Sequence, residues 1–147
     1  MPAATDLIRW DVPFAEAKDP SVSIITEEGG IIVTLVVAPG GVNQYPKYLV
    51  RFECVITLLC YEEAFAFDRG YRALTRSEEK LCAYRCIGSP WLDAYRKGED
   101  FVKQGGKGPL EHYLVFGGDS IVELIASEPP KIERLDKKAL IETKHDA

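Results

Sequence analysis

From Tyr48 to Cys60 the even positions read Tyr48, Val50, Phe52, Cys54, Ile56, Leu58 and Cys60, while the odd positions mix Leu49, Arg51, Glu53, Val55, Thr57 and Leu59. Successive side chains of an extended chain point to opposite faces, so this period of two predicts one long strand whose even face is the core face. Its backbone amides and carbonyls need partners, which commits the chain to a sheet.

The neighbouring segments supply those partners. Ser21 to Glu27 and Ile31 to Ala38 flank Glu28-Gly29-Gly30, where glycines provide the positive φ of a tight turn, and predict a β-hairpin. Ile31 to Ala38 is almost wholly apolar and reads as a central strand covered on both faces. Pro39 to Pro46 is a loop by its glycine and proline content. Tyr61 to Asp68 reads as extended, Gly70 to Lys80 as a loop or short helical turn, and Leu81 to Ile87 as a further strand or, alternatively, a helix. Glu111 to Phe116 and Ser120 to Ala126 predict a second hairpin around Gly117-Gly118-Asp119. The first twenty residues, with Trp10, Val12 and Phe14 among charges and prolines, suggest an edge strand or an arm over the core.

One helix is expected, from Pro90 to about Gln104. Ser89 can cap the free amides of its first turn, Pro90 needs no amide bond there, and Gly105-Gly106 provides a stop. Trp91, Tyr95 and Val102 follow helical spacing. The expected fold is therefore α+β: an antiparallel sheet or partly open barrel of about six strands with one main helix packed on it. Residues 1–130 form a single domain in this reading. Residues 131–147, dense in charge, form a short helix or tail.

A chain of 147 residues with 46% hydrophobic content is long enough to bury a core without metal or disulfide staples. The longest apolar stretch falls far short of the roughly 18 residues of a membrane-spanning helix, and the start lacks the basic and apolar segments of a secretory signal. Cytoplasmic location and no membrane partner are the expectation. A net charge of −5 lacks the basic footprint of nucleic-acid binders, so no nucleic acid partner is expected. None of Cys54, Cys60, Cys82 and Cys86 forms Cys-x-x-Cys. On a strand, Cys82 and Cys86 would stand roughly 13 Å apart, too far to chelate one ion or to bond. A cross-strand pairing of Cys54 with Cys82 or Cys86 stays open beside the expected reduced, buried thiols. No metal and no cofactor is expected.

The chemistry worth testing is sparse. His112 shares a strand face with Leu114 and Phe116, and the hairpin brings Glu123 to the same face in either of two registers. With Gly117-Gly118 as the turn residues, His112 stands opposite Glu123. With Gly118-Asp119, it faces Ile125 and Glu123 is diagonal. Both put the pair within roughly 4.5 to 8 Å. A carboxylate beside an imidazole can orient it for acid–base work, and the same pair is an ordinary cross-strand contact. Trp91, Asp93 and Tyr95 form a candidate partner-binding face on the helix, or core packing. Ser89 lacks the Gly-x-Ser-x-Gly elbow of a nucleophile and reads as a cap. Glu62, Glu63 and Asp68 read as solvated charges. Glu62 and Glu63, being adjacent on a strand, cannot face one another across a substrate. The paired glycines match neither a dinucleotide fingerprint nor a P-loop.

Ser89-Pro90-Trp91-Leu92, His112-Tyr113-Leu114-Val115-Phe116 and the run from Ile121 to Pro130 together resemble a pattern in small uncharacterised bacterial proteins, some of them in toxin and immunity gene settings. The resemblance covers about the C-terminal third, implies a binding role and assigns no catalytic residue. Three functions follow. The first is a non-enzymatic protein-binding module, with an immunity-type inhibitor as one form of it, whose acidic surface favours a basic partner. The second is a small-ligand-binding or enzymatic domain with a pocket near His112, Glu123, Tyr113 and Trp91. The third is a homodimer joined through an exposed strand edge.

Overall fold

The protein is described by a computed structural model over residues 6–62, 81–96, 109–118 and 120–136. Nine strands lie among these residues: β1 (Asp6–Arg9), β2 (Ser21–Glu27), β3 (Ile32–Ala38), β4 (Lys47–Phe52), β5 (Val55–Glu62), β6 (Ala83–Ile87), β7 (Glu111–Phe116), β8 (Ser120–Ala126) and β9 (Lys131–Leu135). They form two open antiparallel sheets, a five-stranded one in the order β1-β6-β7-β8-β5 and a four-stranded one in the order β2-β3-β4-β9. The one described helix, α1 (Pro90–Arg96), has seven residues. The protein is thus mainly β with a short helix, which corrects the expected single sheet or barrel of about six strands bearing a main helix. The expected course of that helix beyond Arg96 lies outside the described residues, as do Glu63 to Lys80.

The long alternating strand is two strands. It breaks at Glu53-Cys54, where the chain passes from the four-stranded to the five-stranded sheet. In β4 the even face is the core face, with Tyr48, Val50 and Phe52 all buried. In β5 a register shift between Val55 and Thr57 resets the phase. Leu58 then packs on the inter-sheet core, while Ile56 packs on the opposite side with Leu92 and Ile125. Periodicity alone could not show this, because a corner and a bulge both preserve an apolar-rich pattern.

The same end of the molecule carries a second crossing. Ser127 to Pro130 leads from β8 into β9, so Lys131–Leu135 is a strand pairing with β4, in place of the expected helix or tail. Its charged residues suit an edge strand that must not pair further. Both corners are tied together: Ser127 N–H donates to the Cys54 carbonyl (3.0 Å), and Val55 N–H to the Ile31 carbonyl (2.9 Å).

The core lies between the sheets. Phe52 of β4 meets Tyr113 of β7 with ring centroids 5.1 Å apart, and Trp10 lies 4.9 Å from Tyr113 and 6.2 Å from Phe52. Trp10, Val12, Phe14 and Ala15 are buried, so the segment after β1 is an arm laid into the core behind an edge strand, as its composition suggested. The predicted hairpins form. The first turns through Glu28, Gly29 and Gly30, all at positive φ. Ile32, Thr34 and Val36 of β3 are only half-buried, however, since their face of the four-stranded sheet looks away from the core. Two thiols also depart from the buried reading: Cys60 is exposed and Cys54 half-buried, whereas Cys82 and Cys86 are buried.

Candidate functional site

The last hairpin settles into the second of its two predicted registers. His112 pairs with Ile125, Leu114 with Glu123, and Gly117 N–H donates to the Ser120 carbonyl (2.7 Å). His112, Leu114 and Phe116 therefore share a face with Glu123 and Ile125, and it is the face turned away from the other sheet. Helix α1 packs there, with Leu92 against Leu110 and Ile125.

Three buried polar side chains meet beneath that helix. His112 Nε2 lies 2.6 Å from Glu123 Oε1, and His112 Nδ1 lies 2.8 Å from Ser89 Oγ. Relative exposure is 1% for His112, 0% for Glu123 and 1% for Ser89. The Tyr61 hydroxyl donates to Glu123 Oε2 from β5. Ser89 Oγ also accepts the Leu92 N–H (2.8 Å), so the serine is the helix cap that the sequence indicated. An ionised carboxylate only accepts, so the proton between the ring and Glu123 sits on Nε2. Nδ1 is then free to accept the Ser89 hydroxyl in the neutral ring, or to donate to it in the imidazolium.

The contact order Ser–His–Glu is that of a hydrolase triad, but its chemistry differs. A nucleophile must reach a substrate carbonyl, and Ser89 Oγ is sealed under the helix it caps. The chain Ser89–His112–Glu123–Tyr61 instead joins α1 to β7, β8 and β5, and satisfies polar groups that would be costly if left alone in the core.

Trp91 stands edge-on to the His112 ring at 5.0 Å and to Tyr95 at 6.1 Å. Four of the five candidate residues, Trp91, Tyr95, His112 and Glu123, are thereby brought together. Asp93 is exposed on the outer side of the helix. His112, Glu123 and Ser89 are themselves buried beneath α1.

A cleft of about 620 Å³ opens instead at the end where both corners cross, on the other side of the five-stranded sheet. Its walls are Arg51, Glu53, Glu111, Tyr113, Glu128 and Lys131, with Ser127 and two prolines, Pro109 and Pro129. Only Tyr113 of the expected pocket residues lines it. Glu111 bonds the Arg85 guanidinium through Oε1 (2.7 Å) and receives the Tyr113 hydroxyl at Oε2 (3.4 Å). Burial pushes the Tyr113 phenol up to about 12, with the Glu111 charge adding to it, so the hydroxyl stays protonated. Lys131 Nζ bonds Glu53 (2.8 Å), Arg51 lies 3.7 Å from the same carboxylate, and the Cys54 thiol donates to Glu128 (3.4 Å). Among the described residues no His, Cys, Asp and Glu cluster could hold a metal ion, and no helix is long and apolar enough to cross a membrane.

Sequence reasoning missed this cleft because Glu53 and Glu128 sit in corners that the strand pattern did not locate. It also missed Tyr61, whose place opposite Ile121 is fixed by the β5 register. The available signal was Arg51 and Glu53 on the polar face of the alternating run. No protein-family model, curated protein or solved structure matches this chain.

Proposed function

We propose that the protein is a non-enzymatic binding module that receives a basic surface of a partner protein at the cleft between its two sheet corners. The observation that carries this reading is the wall of the cleft, which holds the carboxylates of Glu53, Glu111 and Glu128 with Tyr113, beside Arg51 and Lys131. Tyr113 is 4% exposed and backed by Trp10 and Phe52, so its ring is fixed at the floor of the cleft with its hydroxyl on Glu111. Rigid aromatics beside charged groups are the usual anchors of an interface. The net charge of −5 steers a basic partner toward the chain. The resemblance of the C-terminal third to proteins of toxin and immunity gene settings points the same way, to an inhibitor acting by binding in the cytoplasm.

The test is capture by the immobilised protein at physiological salt, followed by titration of the purified captured protein. A stoichiometric partner of basic surface is expected, with Glu111→Gln and Glu128→Gln each weakening it by about tenfold or more. Equal affinity of both variants and wild type would sink the reading.

A second reading keeps a small ligand or substrate in the same cleft, whose volume falls in the range of roughly 300 to 1,000 Å³ typical of such sites. It is distinguished by thermal shift against amphoteric small molecules: stabilisation lost in the Glu111→Gln variant, with no protein captured, favours it.

A further inference from the structure

Tyr113 is 4% exposed and lines the cleft, yet its hydroxyl reaches Glu111 Oε2 only across 3.4 Å. Hydrogen bonds between two oxygens are ordinarily about 2.7 to 2.8 Å long. The other oxygen of Glu111 is held at 2.7 Å by Arg85 of β6, which lies outside the cleft wall. Glu111 is thus fixed in place through Oε1, while Oε2 and the Tyr113 hydroxyl keep bonding capacity toward the cleft.

The charges at this end are sorted by sheet. Glu111 is the register partner of Ala126, and Glu128 follows two residues later, so both carboxylates stand at one end of the five-stranded sheet. Arg51 and Lys131 are register partners in the four-stranded sheet. Both cations turn to a single oxygen, Glu53 Oε1, at 3.7 and 2.8 Å. The Lys131 side chain is 78% exposed and that of Arg51 43%. Exposed ion pairs contribute little, so either cation can turn to another carboxylate at small cost. One side of the cleft therefore offers an acceptor to a cation, and the other offers two cations to an anion.

We propose that the group entering the cleft is the C-terminal residue of a polypeptide, an arginine or lysine. Its side-chain cation meets Glu111 Oε2 and its terminal carboxylate meets Arg51 and Lys131. This rests on the reading of the cleft as a partner's binding site and narrows the basic surface to one residue. A basic residue at a chain end is the smallest polypeptide unit that carries both charges. An internal arginine or lysine would satisfy Glu111 and bring no anion to the opposite side.

Isothermal titration of the full chain with acetyl-glycyl-glycyl-arginine, as the free acid and as the C-terminal amide, tests the proposal. The free acid should bind about tenfold more tightly than the amide. Lys131→Gln and Arg51→Gln should each shrink that difference, and Glu111→Gln should weaken acid and amide alike. Lys131 lies exposed on an edge strand, so its variant decides the matter should Arg51→Gln fail to fold. Equal affinity for acid and amide overturns the proposal, as does no binding of either, even where a captured basic partner is still weakened by Glu111→Gln. An acid preference undiminished in Lys131→Gln also overturns it. Free L-arginine binding more tightly than the peptide acid would assign the cleft to an amino acid and overturn the chain-end assignment. A captured partner indifferent to Glu111→Gln would sink the reading on which the proposal rests.

Discussion

His112 Nε2 lies 2.6 Å from Glu123 Oε1 with both side chains wholly inside the protein. The pair sits diagonally across the last hairpin, under the helix capped by Ser89. A buried polar pair is tolerated while both members are present, and removing one leaves the other's polar atoms unsatisfied.

Replacing either partner alone should therefore be severe. His112→Leu leaves Glu123 buried without its imidazole, and Glu123→Leu leaves His112 with Ser89 alone, each expected to cost about 3 to 5 kcal/mol. The double variant should cost clearly less than the sum, because neither member of the pair is left buried without the other. Urea unfolding followed by tryptophan fluorescence gives all four corners of the cycle. Strict additivity would show that the two side chains do not act as a pair.

Ser89→Ala removes both the cap on Leu92 N–H and the partner of His112 Nδ1. A loss of about 1 to 2 kcal/mol is expected. Tyr61→Phe, which removes a single hydrogen bond to Glu123, should cost about 1 kcal/mol. Neither change touches the cleft, so partner affinity should hold for both. A collapse of affinity in Ser89→Ala at unchanged stability would give the serine a functional role beyond capping.

Stability should fall in alkali. Burial pushes the Cys82 thiol from 9.0 up to about 11, and the thiol donates to the Phe14 carbonyl at 2.9 Å. Above pH 9 the unfolded chain releases this proton while the folded one still holds it, so the folded state loses ground as pH rises. The loss begins near pH 9, is complete near pH 11 and amounts to roughly 2 to 3 kcal/mol. Tyr113, raised from 10.0 to about 12, extends the decline in the same direction. Unfolding midpoints between pH 8 and about 11 check this. Cys82→Ala should flatten the first part of the curve, and an unchanged slope in that variant would assign the effect elsewhere.

Gly88 joins β6 to the helix at φ +70°, and nothing lies within 4 Å of where a Cβ would stand. The glycine is needed for backbone conformation rather than space. Gly88→Ala should cost roughly 1 to 2 kcal/mol, and Gly88→Asn less, as asparagine tolerates this region. Thermal midpoints of the two variants separate the causes: equal losses would argue against a conformational origin.

Local rules carried the sequence a long way where one short segment decided its own structure. Both hairpins form around their glycines, the Ser89-Pro90 start of the helix holds, and the final hairpin places His112 and Glu123 on one face. Those features depend on side-chain period, turn glycines and capping, all of which act within a few residues. The alternating run from Tyr48 was legible as extended for the same reason.

Other features depended on which distant segments share a layer. That Glu53-Cys54 is a corner, that Lys131–Leu135 returns to pair with β4, and that the sheets number two are consequences of pairing across the chain. An alternating strand looks the same whether it continues or changes sheets, so its period determined conformation but not partners. The cleft exists only because two corners meet, and the burial of Ser89, His112 and Glu123 only because the helix folds over one sheet face. Sequence by itself determined the strands, the turns and the candidate pair. Tertiary packing decided that the pair is sealed and that the accessible carboxylates lie on the opposite side of the sheet.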